Sequence, residues 1–438
     1  MKNFDQILAN ASDTKALRLG EGVITETPAL FKELFPGKRP VIIADPNTMR
    51  VAGNQLQEML KEAGLNPEEP FIFTDEDLHA EWKYIERLDD FLKSTDAIAI
   101  AVGSGTINDL TKLSSHHAGK RYMTVGTAAS MDGYTAFGAS ITKDGAKQTF
   151  NCPAPLGFVA DIDIIATAPA EMTASGYADL FAKVPAGADW VISDLLGVEP
   201  IDRLAFDTVQ GGLKEALSDP EGLRKGDKKA ISQLIEGLLL GGFAMQIHKT
   251  SRPASGADHQ FSHLWNMEHH TMADGTTPSH GFQVAIGTLA STALYEEMLK
   301  EDFSNLDVEK CVAEWPELED AKAEALKMFE GTDFPTIGAT EIEAKYISKD
   351  DLRKQLTYLK ENWEDIKKAV RNQIMPLDQL KASLKTVGAP YEPEHIGVTM
   401  ERLKNSVNRA QKIRRRFTIF DLGVRTGNLD KWTAAMNF

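Results

Sequence analysis

Cysteine, net positive charge and long apolar runs are scarce in this sequence, and each shortage excludes a class of protein. The chain has two cysteines, Cys152 and Cys311, too few for a disulfide framework, which favours a reducing cytoplasm. The formal net charge is −16, so nucleic acid is not an expected partner, because neutralising phosphates requires a basic surface. Gln, Glu and Gly interrupt the longest apolar run, Ala230–Met245, and the N-terminus is polar, so neither a membrane span nor a signal peptide is expected.

What is present is the composition of a globular protein with more than one core. Hydrophobic residues make up 42% and charged residues 26% of the sequence, which is typical of globular proteins. A chain of 438 residues exceeds what one core usually holds, so at least two domains are expected. Strand and helix patterns alternate up to about residue 168, and helical patterns dominate afterwards. We therefore predict an α/β domain at 1–168 and a helical domain at 169–438.

Short apolar runs that end in turns predict buried parallel strands in the first domain. The clearest run, 96–102, continues into a glycine turn and a helix. Further strands are predicted at 40–46, 71–73, 122–125 and 158–165. Alternation of these runs with helical segments is typical of a doubly wound parallel sheet. A hairpin with its turn at Lys143–Ala146 is predicted to form an antiparallel edge of that sheet.

Three predicted strand ends carry residues suited to a dinucleotide, because ligands of such sheets bind beyond the carboxyl ends of strands. Asp45 closes one strand, where a carboxylate can accept from ribose hydroxyls and disfavours a 2′-phosphate. Gly103-Ser104-Gly105 opens a helix whose free N–H groups can face a pyrophosphate. Thr127–Ser130 is a second loop of small residues. The alternatives are that Asp45 is a turn residue and that the glycine turn, which is not G-x-G-x-x-G, has no ligand.

Histidines are concentrated in one segment of the helical half. His259 and His263 share a face if their segment is helical, and His280 follows in front of an apolar helical run. Neutral imidazole is a common metal ligand, so these residues are candidates for a metal site, although most such pairs are ordinary surface or core features. His269 and His270 lie between them in a polar run, and we expect both to be solvated.

Asp179 lies among small and apolar residues of a predicted helix. A buried carboxylate is unfavourable unless a cation compensates it. Lys183, one turn later, would supply a salt bridge. A metal ion shared with two histidines from other helices would instead give a three-ligand site with an open position.

The run Arg414-Arg415-Arg416 is a basic cluster in an acidic chain. It ends a helix predicted at 394–414, and we expect it to be the solvated end of that helix. Contact with a phosphate group is the alternative interpretation.

Taken in order, these motifs resemble one family. The segments 103–109, 126–134, 173–180, 255–259 and 280–281 are similar to those of bacterial-type sn-glycerol-1-phosphate dehydrogenases. That family is related to glycerol dehydrogenases, iron-containing alcohol dehydrogenases and 3-dehydroquinate synthases. The resemblance covers most of the chain from about residue 40. It implies a nucleotide-binding α/β domain with a parallel sheet, followed by an all-α metal-binding domain, as in dehydroquinate synthase.

The resemblance also implies an activity. It is the reversible, NAD(P)H-linked reduction of dihydroxyacetone phosphate to sn-glycerol 1-phosphate, a reaction of phospholipid metabolism, by a cytoplasmic homodimer or larger oligomer. A divalent metal ion, zinc or nickel with iron in distant relatives, would be held by Asp179, His259 and His280. His263 would be a neighbour of the metal that contacts the substrate, together with Asp132 and Asp179.

The same resemblance assigns the contacts with NAD or NADP. They are Asp45, Gly103, Gly105, Thr106, Ile107, Asn108, Asp109, Thr127, Ala128, Ala129 and Ser130. Two departures from the family pattern are Ala136, where a serine is expected, and Pro185, which we expect to kink the helix of Asp179. The alternatives are a polyol dehydrogenase acting on glycerol, a lyase of the dehydroquinate synthase type, and a non-catalytic homologue.

Overall fold

The computed structural model describes residues 4–143 and 146–438 of the chain. These residues form two compact units, each made of two stretches of chain. The first unit is Met1–Leu180 with Asp207–Ser251, and the second is Phe181–Phe206 with Arg252–Phe438. The predicted domains, 1–168 and 169–438, follow the change in sequence pattern, whereas the first unit also includes the helical stretches 169–180 and 207–251.

A parallel six-stranded sheet organises the first unit, with the strand order β1-β8-β5-β4-β2-β3. Alternate residues of a strand face opposite sides of a sheet. Ile42 and Ile100 pack in one apolar cluster, and Val41 and Ala99 pack in another. Both faces of the sheet are therefore covered, which explains why its central strands are uniformly apolar. The strands are β1 (Ala16–Gly20), β2 (Pro40–Ala44), β3 (Phe71–Ile72), β4 (Ile98–Gly103), β5 (Met123–Gly126), β6 (Ala139–Lys143), β7 (Ala146–Phe150) and β8 (Gly157–Asp161).

Two strand predictions require correction. Strands β6 and β7 pair antiparallel in a separate two-stranded sheet, not at an edge of the parallel one; the predicted turn residues Asp144 and Gly145 lie outside the described residues. The run 158–165 is a strand only up to Asp161. Its carboxylate accepts a hydrogen bond from the N–H of Asp163 and begins a helix there, because a capping aspartate favours a helix start over further extension.

The helices of the described residues are, in chain order, α1 (Phe4–Asn10), α2 (Thr27–Leu34), α3 (Pro46–Thr48), α4 (Asn54–Glu62), α5 (Trp82–Ser94), α6 (Gly105–His117), α7 (Ile162–Ile165), α8 (Ala170–Phe181), α9 (Lys183–Leu195), α10 (Arg203–Gln210), α11 (Leu213–Ala216), α12 (Pro220–Lys225), α13 (Lys228–His248), α14 (Ala257–Met267), α15 (His280–Met298), α16 (Val308–Glu314), α17 (Leu318–Met328), α18 (Ile337–Lys345), α19 (Lys349–Glu361), α20 (Trp363–Gln373), α21 (Leu377–Val387), α22 (Met400–Lys412), α23 (Ile419–Arg425) and α24 (Leu429–Ala435). Shorter turns of 3-10 type lie at Val23–Glu26, Gly133–Thr135, Arg252–Ala254, Phe303–Asn305 and Pro393–Ile396, and a π-turn lies at Met49–Gly53.

The predicted kink near Pro185 is an interruption of the helix. Helix α8 ends at Phe181, and α9 begins two residues later. Pro185 is the third residue of α9, in the first turn, where a missing N–H removes no intrahelical hydrogen bond. Asp179 therefore lies in the last turn of its helix.

Helix α13 is the most apolar long helix of the first unit. It is the single helix among the described residues with the length and composition to cross a membrane, and most of it is buried inside the fold. Gln246 near its end accepts from the backbone N–H groups of Asp13 and Thr14 and donates to the carbonyl of Thr135. Such burial and bonding are typical of a core helix that ties chain segments together.

Candidate functional site

Three strand ends meet at one edge of the parallel sheet. Strands β2, β4 and β5 are neighbours, and Gly103 of β4 lies beside Gly126 of β5. The N–H of Thr127 donates to the carbonyl of Gly103 at 3.1 Å. The structure thus brings together Asp45, the glycine turn and the loop 127–130, which the sequence predicted separately as dinucleotide contacts.

The glycine turn is shaped by close packing. A Cβ on Gly103 would lie 2.6 Å from Cβ of Ile107, and one on Gly105 would lie 3.0 Å from Cε of Met131. Helix α6 begins at Gly105 without a side-chain cap from Ser104. The N–H groups in the first turn of a helix have no intrahelical partner, so this helix start can bind an anion.

The side chains at 107–109 serve the fold. Ile107 is buried in an apolar cluster. The amide oxygen of Asn108 accepts from Tyr122 Oη at 3.1 Å and from Thr124 Oγ1 at 2.9 Å, and a carboxylate oxygen of Asp109 accepts from the backbone of β6. Any cofactor contact of these residues would therefore use their backbone.

Asp45 caps a helix, whereas the sequence left a turn residue as the alternative to a ribose contact. Its Oδ1 accepts from the N–H groups of Asn47 and Thr48 at 2.8 and 2.9 Å, which begins helix α3. Both bonds use Oδ1. A ribose contact through Oδ2 is compatible with this cap.

A buried tyrosine and a buried lysine hold the loops that follow β5. Tyr134 Oη donates to the carbonyl of Ala128 at 2.6 Å and lies 3.1 Å from Ser130 Oγ. Burial raises the pKa of Tyr134 to about 12, so it stays a donor. Lys112 Nζ donates to the carbonyls of Gly133, Ala136 and Gly138 at 2.9–3.1 Å. These contacts fix the backbone on both sides of Asp132.

Helix α8 packs directly against the loop 127–130. A Cβ on Gly176 would lie 2.0 Å from the carbonyl oxygen of Ala129, so only glycine permits this approach. One turn later, Oδ2 of Asp179 accepts from the N–H of Asp132 at 2.9 Å. The backbone two residues beyond the loop predicted to contact the cofactor thus orients the carboxylate predicted to bind metal.

Two buried aspartates organise the start of helix α14. The carboxylate of Asp189 accepts from the N–H groups of Ala257 and Ile419, both at 2.7 Å, and from Tyr295 Oη at 2.5 Å, while burial raises the pKa of Asp189 to about 7. Oδ1 of Asp258 is hydrogen-bonded to Nδ1 of His259. Since that nitrogen is engaged, Nε2 of His259 is the atom that can bind a metal ion.

A group of three potential metal ligands is formed by Asp179, His259 and His280. One ligand atom from each lies within 4.8 Å of the others. Asp179 is fully buried and His259 nearly so, and the rings of His259 and His280 are 5.3 Å apart between centroids. One carboxylate and two imidazoles, one of them held by a carboxylate, fit a catalytic divalent metal site with an open position.

His263 lies beside this group without belonging to it. Its ring centroid is 6.3 Å from that of His259. Its Nε2 accepts a hydrogen bond from Arg414 Nη2 at 3.1 Å. His259 and His263 do share a helix face, as their spacing predicted. The second histidine of the candidate metal group is instead His280, the first residue of α15.

Two further predictions about charged side chains were wrong in part. His269 is exposed as expected, but His270 is buried and its ring is hydrogen-bonded to the carbonyl of Ile396 and to Arg402.

The arginine run does not form the end of a helix, because helix α22 ends at Lys412, before the run. Arg415 is exposed, whereas its two neighbours are only partly accessible, because the chain turns back there towards the start of α14.

The sequence reasoning missed Asp189 and Asp258. Asp189 lies among small and apolar residues of helix α9, which is the signal that identified Asp179 and could have identified Asp189 too. Asp258 gives no comparable signal. Residues adjacent in a helix point in different directions, so the sequence does not indicate that Asp258 and His259 are hydrogen-bonded to each other.

Comparison with known proteins agrees with this architecture. Residues 18–169 match the family described as iron-containing alcohol dehydrogenase. A glycerol dehydrogenase structure from Schizosaccharomyces pombe superimposes with a TM-score of 0.60 at 17% identity, covering 97% of this chain and 91% of that one. An NADH-dependent butanol dehydrogenase from Thermotoga maritima gives a TM-score of 0.58 at 14% identity, covering 97% of each. These structures show the fold.

Sequence relatives are closer. A glycerol-1-phosphate dehydrogenase, NAD(P)+, of Halalkalibacterium halodurans is 35% identical over 284 residues, covering 64% of this chain and 70% of the relative. The enzyme of the same name from Pyrococcus furiosus is 32% identical over 284 residues, covering 63% of this chain and 77% of that protein. The chain therefore belongs to the glycerol-1-phosphate dehydrogenase family, within the wider group of iron-containing alcohol dehydrogenases.

Proposed function

We propose that this chain catalyses the reversible NAD(P)H-linked reduction of dihydroxyacetone phosphate to sn-glycerol 1-phosphate at a divalent metal centre. The observation that carries the proposal is the convergence of Asp179, His259 and His280. Membership of the family, whose relatives carry that activity in their name, supports the substrate and the cofactor.

The protein groups around the centre have separable roles. Asp258 holds His259 in the tautomer that leaves Nε2 for the metal. The N–H of Asp132 orients the Asp179 carboxylate, and we assign the Asp132 side chain to a substrate hydroxyl. His263 accepts from Arg414 through Nε2, so its N–H is on Nδ1, from where it can donate a hydrogen bond to the substrate oxygen or to a water molecule.

Catalysis combines this site with the bound cofactor. When bound, the divalent cation supplies Lewis acidity and the nicotinamide supplies the hydride. The chain itself supplies position: the loops after β4 and β5 offer backbone N–H groups to the pyrophosphate, and Asp45 accepts from the ribose. A carboxylate there disfavours a 2′-phosphate, so we expect NADH to be preferred.

The setting of the enzyme is part of the same proposal. Both cysteines are buried and free in the fold, which suits a reducing cytoplasm. We further propose a homodimer or larger assembly. Zinc and nickel are the candidate metals, because both accept imidazole and carboxylate ligands.

The experiment that tests the proposal is NADH oxidation with dihydroxyacetone phosphate or dihydroxyacetone as substrate. The enzyme is first stripped with a chelator and then given nickel, zinc or iron(II). We expect turnover to require metal and to favour the phosphorylated ketone. Turnover unaffected by chelation would refute the metal centre, and a preference for dihydroxyacetone would refute the substrate in favour of a polyol dehydrogenase.

A further inference from the structure

The arginine run after helix α22 contains three different environments. Arg415 is exposed, and its Nε and Nη2 donate to the Glu341 carboxylate at 3.0 and 2.8 Å. Arg416 Nη1 donates to the carbonyl of Ser255 at 2.5 Å. Arg414 donates to Nε2 of His263. The three consecutive arginines thus bind different partners: Arg414 a histidine, Arg415 a carboxylate and Arg416 a backbone carbonyl.

Arg414 makes no close ion pair with a carboxylate of the described residues, although the charge of Glu341 acts on it. In the part of the chain that the structure describes, no carboxylate oxygen lies within 4.0 Å of its guanidinium group. Its partner atom, Nε2 of His263, must be an unprotonated and neutral acceptor, because guanidinium groups can only donate. Glu341 is already held by both donors of Arg415.

Positive charge is crowded around this arginine. Burial lowers the pKa of Arg414, and burial together with Arg252 and Arg414 lowers the pKa of Arg416 to about 9. Arg252 is 1% exposed, while its partner Glu199 is partly exposed. Glu199 and Asp258 offset part of this effect at Arg416, and bringing like charges together in a partly desolvated place is unfavourable. An anion beside Arg414 would relieve this cost.

The position of Arg414 relative to His259 is fixed within the second unit, to which both residues belong. It is one hydrogen bond from His263, whose ring is next to that of the ligand His259. A substrate that reaches the metal with its ketone oxygen can therefore extend past His263 towards the guanidinium with its other end.

We propose that Arg414 binds the phosphate group of the substrate. The inference rests on the proposed function and deepens it, since it names the group that distinguishes the phosphorylated ketone from the free one. A phosphate monoester carries a charge of about −1.5 to −2 at neutral pH and offers three acceptor oxygens. The guanidinium fork matches two of them, which makes arginine the preferred side chain for such recognition.

The test measures the specificity ratio of kcat/KM for dihydroxyacetone phosphate over dihydroxyacetone in the metal-loaded enzyme. Arg414→Met keeps the apolar stem and removes the charge. We expect the ratio to fall roughly 10- to 100-fold, the effect of losing hydrogen bonds to a charged group. Arg414→Lys should restore part of it, because lysine keeps the charge without the fork. Arg415→Met, which removes the neighbouring arginine, should leave the ratio unchanged.

A second readout does not depend on turnover. Inorganic phosphate, at constant ionic strength, should raise the Tm of the wild-type enzyme and of Arg415→Met, and should not raise that of Arg414→Met. An equal loss of kcat/KM for both ketones in Arg414→Met would overturn the proposal and assign Arg414 to holding His263. Unchanged phosphate protection in that variant would overturn it too. If the wild type instead failed to reduce either ketone while Arg414-dependent protection persisted, the proposed reaction would be refuted and the anion site would stand.

Discussion

The binding groups at the sheet edge of the first unit differ in chemical kind from those at the start of helix α14 in the second unit. At the sheet edge of the first unit, the groups presented are backbone N–H groups and small residues such as Gly103 and Ser130. In the second unit, at the start of α14, they are buried polar side chains held by carboxylates, as His259 is by Asp258. The first arrangement should be sensitive to added atoms and the second to altered charge.

The largest expected effect is on the charged arrangement. His259→Ala removes one ligand of three, so we expect metal retention to be lost and turnover to fall roughly 10³-fold or more, since the developing alkoxide loses its stabilising charge. Metal content by elemental analysis and kcat/KM measure this. The affinity for NAD(P)H should remain, because the sheet edge is untouched. A loss of that affinity would contradict the assignment of cofactor binding to the sheet edge and of metal binding to the side chains near α14.

A smaller change tests whether the carboxylate behind the ligand matters. Asp258→Asn keeps the shape of the side chain and weakens its hold on His259, so we expect metal affinity to fall about 10- to 100-fold. Competition with a chromogenic chelator measures the affinity. Asp274→Asn, an equal change of charge on an exposed residue, is the control and should bind metal normally. Equal affinities in all three proteins would show that Asp258 is structural only.

The backbone arrangement is tested by adding one methyl group. Gly176→Ala places a Cβ against the carbonyl of Ala129, so the loop 127–130 must move, and overpacking of this kind costs about 1–3 kcal/mol. We expect a lower urea midpoint and weaker NAD(P)H binding. Ala174→Gly in the same helix costs about 0.5–1 kcal/mol without adding atoms and should leave cofactor affinity unchanged. Normal affinity in Gly176→Ala would contradict the role given to the loop.

The smallest effect should come from charge at the surface. Arg415→Met removes the exposed partner of the partly buried Glu341 carboxylate, and ion pairs that reach the solvent contribute about 0–1 kcal/mol. Urea unfolding should place the variant within that range of the wild type. A loss of several kcal/mol would show that charge sensitivity is not confined to the buried cluster.

Much of this architecture could be predicted from sequence. The parallel sheet, the helical half and the family were predicted correctly, because buried strands read as continuous apolar runs and the motifs occur in a distinctive order. Errors fell where a polar side chain decides the local structure, as where Asp161 ends a strand and begins a helix. The environment of Arg414 was also unpredictable, because periodicity does not tell where the chain turns after a helix. The role of the Asp132 side chain at a substrate hydroxyl stays a prediction, because its motif was recognised by resemblance and periodicity does not show what a side chain binds.

The course of the chain between its compact units has a consequence for engineering and for evolution. Each unit is assembled from two separated stretches, so no single cut yields either unit whole. A fragment ending at residue 180 would lack helix α13, whose Gln246 anchors the residues near Thr14. Exchange of a complete unit with a relative would therefore need several crossovers, which favours descent of the two halves together over repeated shuffling.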